Sequence, residues 1–115
     1  MSGVKEMPRW MMADKGSLKT LMMELKPLLA EPKRSIIKIL SEGVKGTNEI
    51  YKALRERGLE MPRSTLYYHL SALEDAGIIE MAGYREEGGG APEKLWKLKV
   101  RRMGIDLVTG EIFKE

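Results

Sequence analysis

PRSTLYYHLSALEDAGII, residues 62–79, decides how the rest of the chain is read. Leu66, Leu70 and Leu73 recur at helical spacing, and Gly77 follows as a helix stop. Arg63, Ser64, Tyr67, Tyr68 and Ser71 lie away from those leucines, on a face that is polar and rich in hydrogen-bonding groups but carries few charges. A helix divided in this way can dock on a small core and offer its other side to a nucleic-acid groove.

Working outward toward the N-terminus, Thr47 is placed to cap TNEIYKALRERG, with Glu49 near the positive end of the helix dipole. Ile50, Ala53 and Leu54 form its buried side, and Gly58 ends it. Glu31 and Pro32 read as an earlier helix start, since proline is pre-organised for the first helical position. Ile36, Ile37, Ile39 and Leu40 follow, and Gly43 closes that segment. Two short helices, a tight glycine-containing joint and a third helix make a helix-turn-helix pattern. Further upstream, Ser17 is a cap candidate for a helix running to about Lys26, with Leu18, Leu21, Met22 and Leu25 as its apolar stripe. Pro27 predicts a break or kink near Lys26, with Leu28 and Leu29 still pointing inward. The stripe is longer than a small core needs from one helix. Residues 1–16, Met-rich and without a clean period, read as a loose arm or as a segment that packs Trp10 on a second subunit.

Beyond Gly77 the period changes from helical to alternating. Ile78, Ile79, Met81 and Tyr84 predict a strand, REEGGGAP a turn, and EKLWKLKV a second strand. Trp96, Leu98 and Val100 share one side of that strand, and Lys97 and Lys99 the other. A hairpin directly after a helix-turn-helix is a wing. Residues 101–115 predict a small second hairpin or an edge strand with a tail, which must lean on the domain or on a partner because an isolated hairpin is marginal in water.

Composition narrows the function classes. The chain has 115 residues, 43% hydrophobic and 32% charged, which fits one small globular domain with an added arm. It has no cysteine, so disulfides and thiolate metal sites are excluded. No apolar run approaches the roughly 20 residues that span a bilayer, and the N-terminus lacks the apolar core of a signal peptide, so the expected location is the cytoplasm. A net charge of +3 and a pI near 9.2 are a mild basic bias compatible with nucleic acid. There is no nucleophile–base–acid arrangement, no Gly-rich phosphate loop after a strand and no metal-ligand cluster; the expectation is a non-enzyme without cofactor or metal.

Residues 28–100 resemble the ArsR-type winged-helix regulators of bacteria and archaea. The matching residues are Pro32, Arg34, Ile37 and Leu40, then Thr47, Ile50 and Leu54, then Ser64, Thr65, His69, Leu70, Leu73 and residues 76–79. The wing is similar too, with a small-residue loop (88–92) before a Lys-aromatic strand. PadR-like and MarR-like regulators share much of this pattern. Metal-sensing members use cysteines and several histidines, and this chain has no cysteine and one histidine, so metal sensing is not carried over.

The resemblance implies an α+β fold, mainly α with a small β-hairpin: a winged helix-turn-helix over residues 17–100, between an arm (1–16) and a C-terminal hairpin or tail (101–115). It implies a homodimeric regulator that reads double-stranded DNA, with the helix at 62–76 in the major groove and the wing at 78–100 on the backbone. Arg63 is the first candidate for base readout, since its fork pairs with guanine O6 and N7; Ser64, Tyr67 and Tyr68 join it, one tyrosine packing under the wing. Phosphate candidates are Lys33, Arg34, Lys45, Thr47, Asn48, Lys52, Ser71, Arg85, Lys94 and Lys97, with the backbone amides at 47 and 48 as a further anion site. Dimer candidates are Trp10, Leu18, Leu21, Met22 and Leu25. His69 is expected to be structural, bonding backbone at the helix joint. Glu86 and Glu87 at the wing tip are repelled by phosphate, and they favour the alternative of a winged-helix module for protein or RNA.

Overall fold

The computed structural model describes residues 17–86 and 90–115; Trp10 and Glu87 lie outside them. Four helices come in order, with three strands of one sheet and a separate hairpin: α1 Ser17–Leu28, α2 Lys33–Leu40, β1 Lys45–Gly46, α3 Thr47–Glu56, α4 Arg63–Asp75, β2 Ile79–Arg85, β3 Glu93–Leu98, β4 Met103–Ile105 and β5 Ile112–Lys114. The chain is an α+β winged helix-turn-helix.

The three leucines of the opening stretch are the centre of the core. Leu66, Leu70 and Leu73 are fully buried, packed with Ile36, Ile39 and Leu40 of α2, Ile50 and Leu54 of α3, and Trp96 of β3. Burial of one such side chain contributes roughly 1.5–3 kcal/mol, so α4 is held by its apolar face while its other face stays in water. Both helices of the helix-turn-helix end in the same device. Gly58 (φ +82°) and Gly77 (φ +75°) take the left-handed conformation that side chains avoid. The next residue then donates back into the helix, Leu59 N–H to Leu54 O at 2.8 Å and Ile78 N–H to Leu73 O at 3.0 Å. Each stop also returns an apolar residue to the core: Ile78 is buried, and Leu59 is packed against it.

The N-terminus of α2 is satisfied by Glu31 rather than by Pro32. The Glu31 carboxylate accepts from Ser35 N–H at 3.0 Å and from Ser35 Oγ at 2.9 Å. Helix α1 differs from expectation at its end. Pro27 lies inside the helix, which runs on to Leu28. A proline in the last turn disturbs only the single i−4 position at Met23, by a lost N–H bond and its ring against that carbonyl, and the helix continues one residue beyond it. Leu28 packs on the core as expected, but Leu29 is 59% exposed.

The wing is a three-stranded antiparallel sheet in the order β1-β3-β2. Lys45 pairs with Trp96, and β2 pairs with β3 from Ile79–Leu98 to Arg85–Glu93, with a bulge between Met81 and Gly83. The alternation of β3 is as predicted: Trp96 and Val100 are buried and Leu98 partly so, with Lys97 and Lys99 exposed. Strands β4 and β5 form the second hairpin, in which Gly104 faces Phe113; a Cβ on Gly104 would meet the Phe113 ring at 2.6 Å. The hairpin is tied down through Lys114, whose Nζ lies 3.1 Å from Glu24 of α1 and 3.5 Å from Ala76 O at the end of α4. Among the described residues, no helix is long and apolar enough to cross a membrane.

Candidate nucleic-acid interface

Helix α4 begins where Pro62 holds an extended backbone (ψ 152°) and Arg63 enters the first turn. Arg63 is exposed, yet it is not loose. Its Nη1 donates to Asn48 Oδ1 at 2.5 Å, and its guanidinium carbon lies 4.4 Å from the centroid of the Tyr51 ring. A cation over an aromatic face contributes ~0.5–1 kcal/mol at an exposed site. Arg55 stands near the same ring, at 5.7 Å. Helices α3 and α4 thus meet in a polar cluster of Asn48, Tyr51, Arg55 and Arg63. Tyr51 was missed from the sequence. Its spacing from Arg55 is a visible i, i+4 signal, whereas its contact with Arg63 exists only once the turn has folded.

Ser64, Tyr68 and Ser71 follow Arg63 along the exposed face of α4 at helical spacing, with Tyr67 beside them. Tyr67 is 47% and Tyr68 69% exposed, so neither ring packs under the wing. The reason is the core: Leu66 and Leu70 fill the space beneath α4, leaving both rings to solvent. His69 also departs from expectation. Its Nδ1 is buried and has no hydrogen-bond partner, and its ring meets Tyr68 edge-on at 5.5 Å. Burial, with the nearby Lys33 charge, holds its pKa below the ordinary histidine value.

The loop end of the wing is locked to the start of α3 by acids. Glu49 accepts from Gly46 N–H at 2.9 Å and pairs with Arg85 at 2.9 Å; Arg85 also lies 3.7 Å from Glu93. Glu93 in turn accepts from Asn48 N–H at 2.6 Å. The Gly46 bond is the main reason that Glu49 has a lowered pKa, aided by Arg85 and Lys45 against the effect of burial. This takes the Asn48 amide out of the expected anion site at the α3 N-terminus, because an internal carboxylate already accepts from it and would repel a phosphate. Gly46 makes the close approach possible, as a Cβ there would fall 2.4 Å from the Glu93 carboxyl group.

The other candidates fall into separate places. Thr47 is buried; its hydroxyl accepts from Trp96 Nε1 at 3.0 Å and donates to Lys94 O at 3.3 Å, so it is spent inside the fold. Lys52 and Lys94 are exposed and have no ion pair among the described residues; Lys94 Nζ sits 6.0 Å from the Trp96 ring. Lys45 pairs with Glu42 at 3.7 Å and Lys97 with Glu80 at 3.9 Å, at the surface. Lys33 lies against Ala72, Leu73 and Ala76 in the last turns of α4, more than two turns from Arg63. Arg34 lies beside Leu25, Leu28 and Val100, on the α1 side. The structure therefore groups Arg63, Ser64, Tyr67, Tyr68 and Ser71 with Asn48, and leaves Thr47, Lys33 and Arg34 out of that group. Of the dimer candidates, Leu21 is buried within the chain, Leu25 is half-buried, and Leu18 (40%) and Met22 (58%) are exposed.

Residues 34–82, from the second residue of α2 into β2, match the helix-turn-helix domain family. A solved structure of a PadR family transcriptional regulator from Eggerthella lenta DSM 2243 is similar at 22% identity and a TM-score of 0.45, over 76% of this chain and 73% of that one. No curated protein matches the chain.

Proposed function

We propose that the protein is a sequence-specific double-stranded DNA-binding transcription regulator, with α4 in the major groove and the wing along the backbone. The observation that carries this reading is the exposed face of α4, with Arg63 oriented at its N-terminal end by Asn48 and Tyr51. In helix-turn-helix proteins the N-terminal residues of the second helix reach base edges, and α4 presents a forked donor and three hydroxyl groups there. Lys52 and Lys94, with the partly paired Lys45, Arg85 and Lys97, supply phosphate contacts. The resemblance of residues 28–100 to ArsR-type regulators and the match to the helix-turn-helix family support the same reading.

The regulator works as a homodimer in this proposal. Leu21 and Leu28 face the core, and one step around α1 the exposed Leu18, Met22 and Leu29, with half-buried Leu25 between them, form a stripe that a second copy would cover. Two copies would present their α4 helices about one DNA turn apart, ~34 Å. Selection of bound duplexes from a random pool, followed by affinity measurement over a salt series, tests the proposal. Enrichment of a two-fold site and binding that falls as salt rises are expected. Equal affinity for all duplexes, or binding indifferent to salt, would refute it.

A second reading has its own observation. The α3 N-terminus is closed by Glu93, and exposed Glu86 extends the acidic character of the wing toward its tip. Tyr67 and Tyr68, both in solvent, suit stacking with the unstacked bases of single-stranded RNA, and the acids suit a basic protein partner. Stronger binding to single-stranded RNA than to any selected duplex would favour it.

A further inference from the structure

A cleft of about 180 Å³ opens between α1, α2 and the exit of the wing, remote from the Arg63 cluster. Its floor is apolar, made by Leu25, Leu28, Ile37, Val100 and Met103. Its rim is cationic: Arg34 and Lys38 from α2, and Arg101 from the segment after β3. All three are exposed, and none has an ion pair among the described residues.

Arg34 and Lys38 stand one helical turn apart, and like charges at that spacing repel. The carboxylates nearest in sequence are engaged elsewhere: Glu31 on Ser35, Glu42 on Lys45, and Asp106 on the Val108 and Thr109 amides. Three cations around an apolar hollow fit an anion with an apolar body. The guanidinium groups of Arg34 and Arg101 present forked donors that fit a carboxylate, and the volume suits a ligand smaller than those held by typical drug-sized pockets of roughly 300–1,000 Å³.

We propose that this cleft is a binding site for a small amphiphilic carboxylate, a short-chain fatty acid or an aromatic acid. The acid group lies between Arg34, Lys38 and Arg101, and the hydrocarbon part rests on Leu28, Ile37 and Val100. The cleft joins α1 to the core and to the strand that leaves the wing, so an occupant bridges the stripe proposed for dimer contact and the DNA-binding unit. The site stands on its own geometry, and its test is separate from that of DNA binding.

The experiment titrates the full chain with octanoate, benzoate and octanol, read by methyl resonances in NMR spectra and by calorimetry. Saturable binding of octanoate or benzoate is expected, with shifts centred on Leu28, Ile37, Val100 and Met103. Octanol should bind at least tenfold more weakly. The double variant Arg34→Gln, Arg101→Gln alters only exposed side chains, and it should lose at least tenfold in carboxylate affinity while keeping its melting temperature. No saturable binding at millimolar acid, equal binding of octanol, or shifts centred on Met22 and Met23 would each overturn the proposal. A DNA titration of the same double variant separates the two readings: unchanged duplex affinity with lost carboxylate binding keeps the cleft and the α4 surface distinct.

Discussion

Arg63 carries the residue-scale argument. It is solvent-exposed, but Asn48 and Tyr51 hold it, so less rotamer freedom is lost when it meets a base. Arg63→Ala is therefore expected to cost ~1–3 kcal/mol at one base pair of the selected site and to leave non-specific binding nearly unchanged. Lys94→Ala should weaken both kinds of binding alike and lower the salt slope by about 1. Parallel titrations of selected and random duplexes over a salt series check both. His69 yields a prediction about pH. Its folded pKa is lowered, so above the unfolded value near 6.5 both states are neutral and its protonation costs nothing. As pH falls below that value the unfolded chain takes up the proton first, and stability declines toward the lower folded pKa. The melting temperature of the wild type should fall between pH 7 and 5 by more than that of His69→Leu. Equal slopes would show that the buried Nδ1 is not the cause.

At the scale of elements, the wing is fastened to the helices by carboxylates rather than by apolar contact alone. Trp96 anchors β3 in the core and bonds Thr47, while Glu93 and Arg85 hold the loop end of the hairpin against α3. Gly46→Ala would drive a Cβ into the Glu93 carboxyl group and push it off the Asn48 amide. Loss of about 1–3 kcal/mol is expected from a charge-assisted bond and local overpacking. Chemical denaturation measures this, and faster amide exchange confined to β1, β2 and β3 would locate it. Glu49 adds an acid limit to the same joint. Its pKa is depressed, so its contribution is present above the unfolded value and is lost as pH falls through the folded one. Helix α1 has the opposite character: Leu21 is buried, while Leu18, Met22 and Met23 are exposed.

For the whole molecule, the α4 surface and the α1 stripe are the two faces the proposal uses together. Met22→Glu places a charge on the exposed stripe and leaves the buried Leu21, and Leu28 on the core, untouched. Sedimentation should show a shift from dimer to monomer, with the melting temperature at high dilution little changed. Binding to the two-fold site should fall sharply, while binding to a half-site persists. A dimer that survives Met22→Glu would move the contact away from α1, and the exposed Leu107 and Val108 at the tip of the β4–β5 turn would then be the next surface to alter.

Much of the architecture was legible in the residues. The leucine spacing of 66, 70 and 73, the stops at Gly58 and Gly77, and the alternation of β3 are local signals, each set by the period of a helix or strand or by a backbone conformation that glycine adopts freely. The type of α4 and its division into a core side and a water side follow from those alone, as does the exclusion of thiolate chemistry. Which polar residues share a site is a different kind of fact. Thr47 had the features of a helix cap and a phosphate contact, and the fold spent its hydroxyl on Trp96, 49 residues away. Asn48 was assigned to phosphate, and its amide is taken by Glu93 while its side chain steadies Arg63. Pro27 predicted a break or kink near Lys26, and the helix runs through it to Leu28. Arg34 was assigned to phosphate, and it lines a cleft with Arg101 on the α1 side. These outcomes depend on long-range contacts, and hydrogen bonds and ion pairs act over a few ångströms between residues that only the folded chain brings together. Sequence alone determined the elements and their buried faces; the tertiary structure decided which charges are paired, which are left free and what they surround.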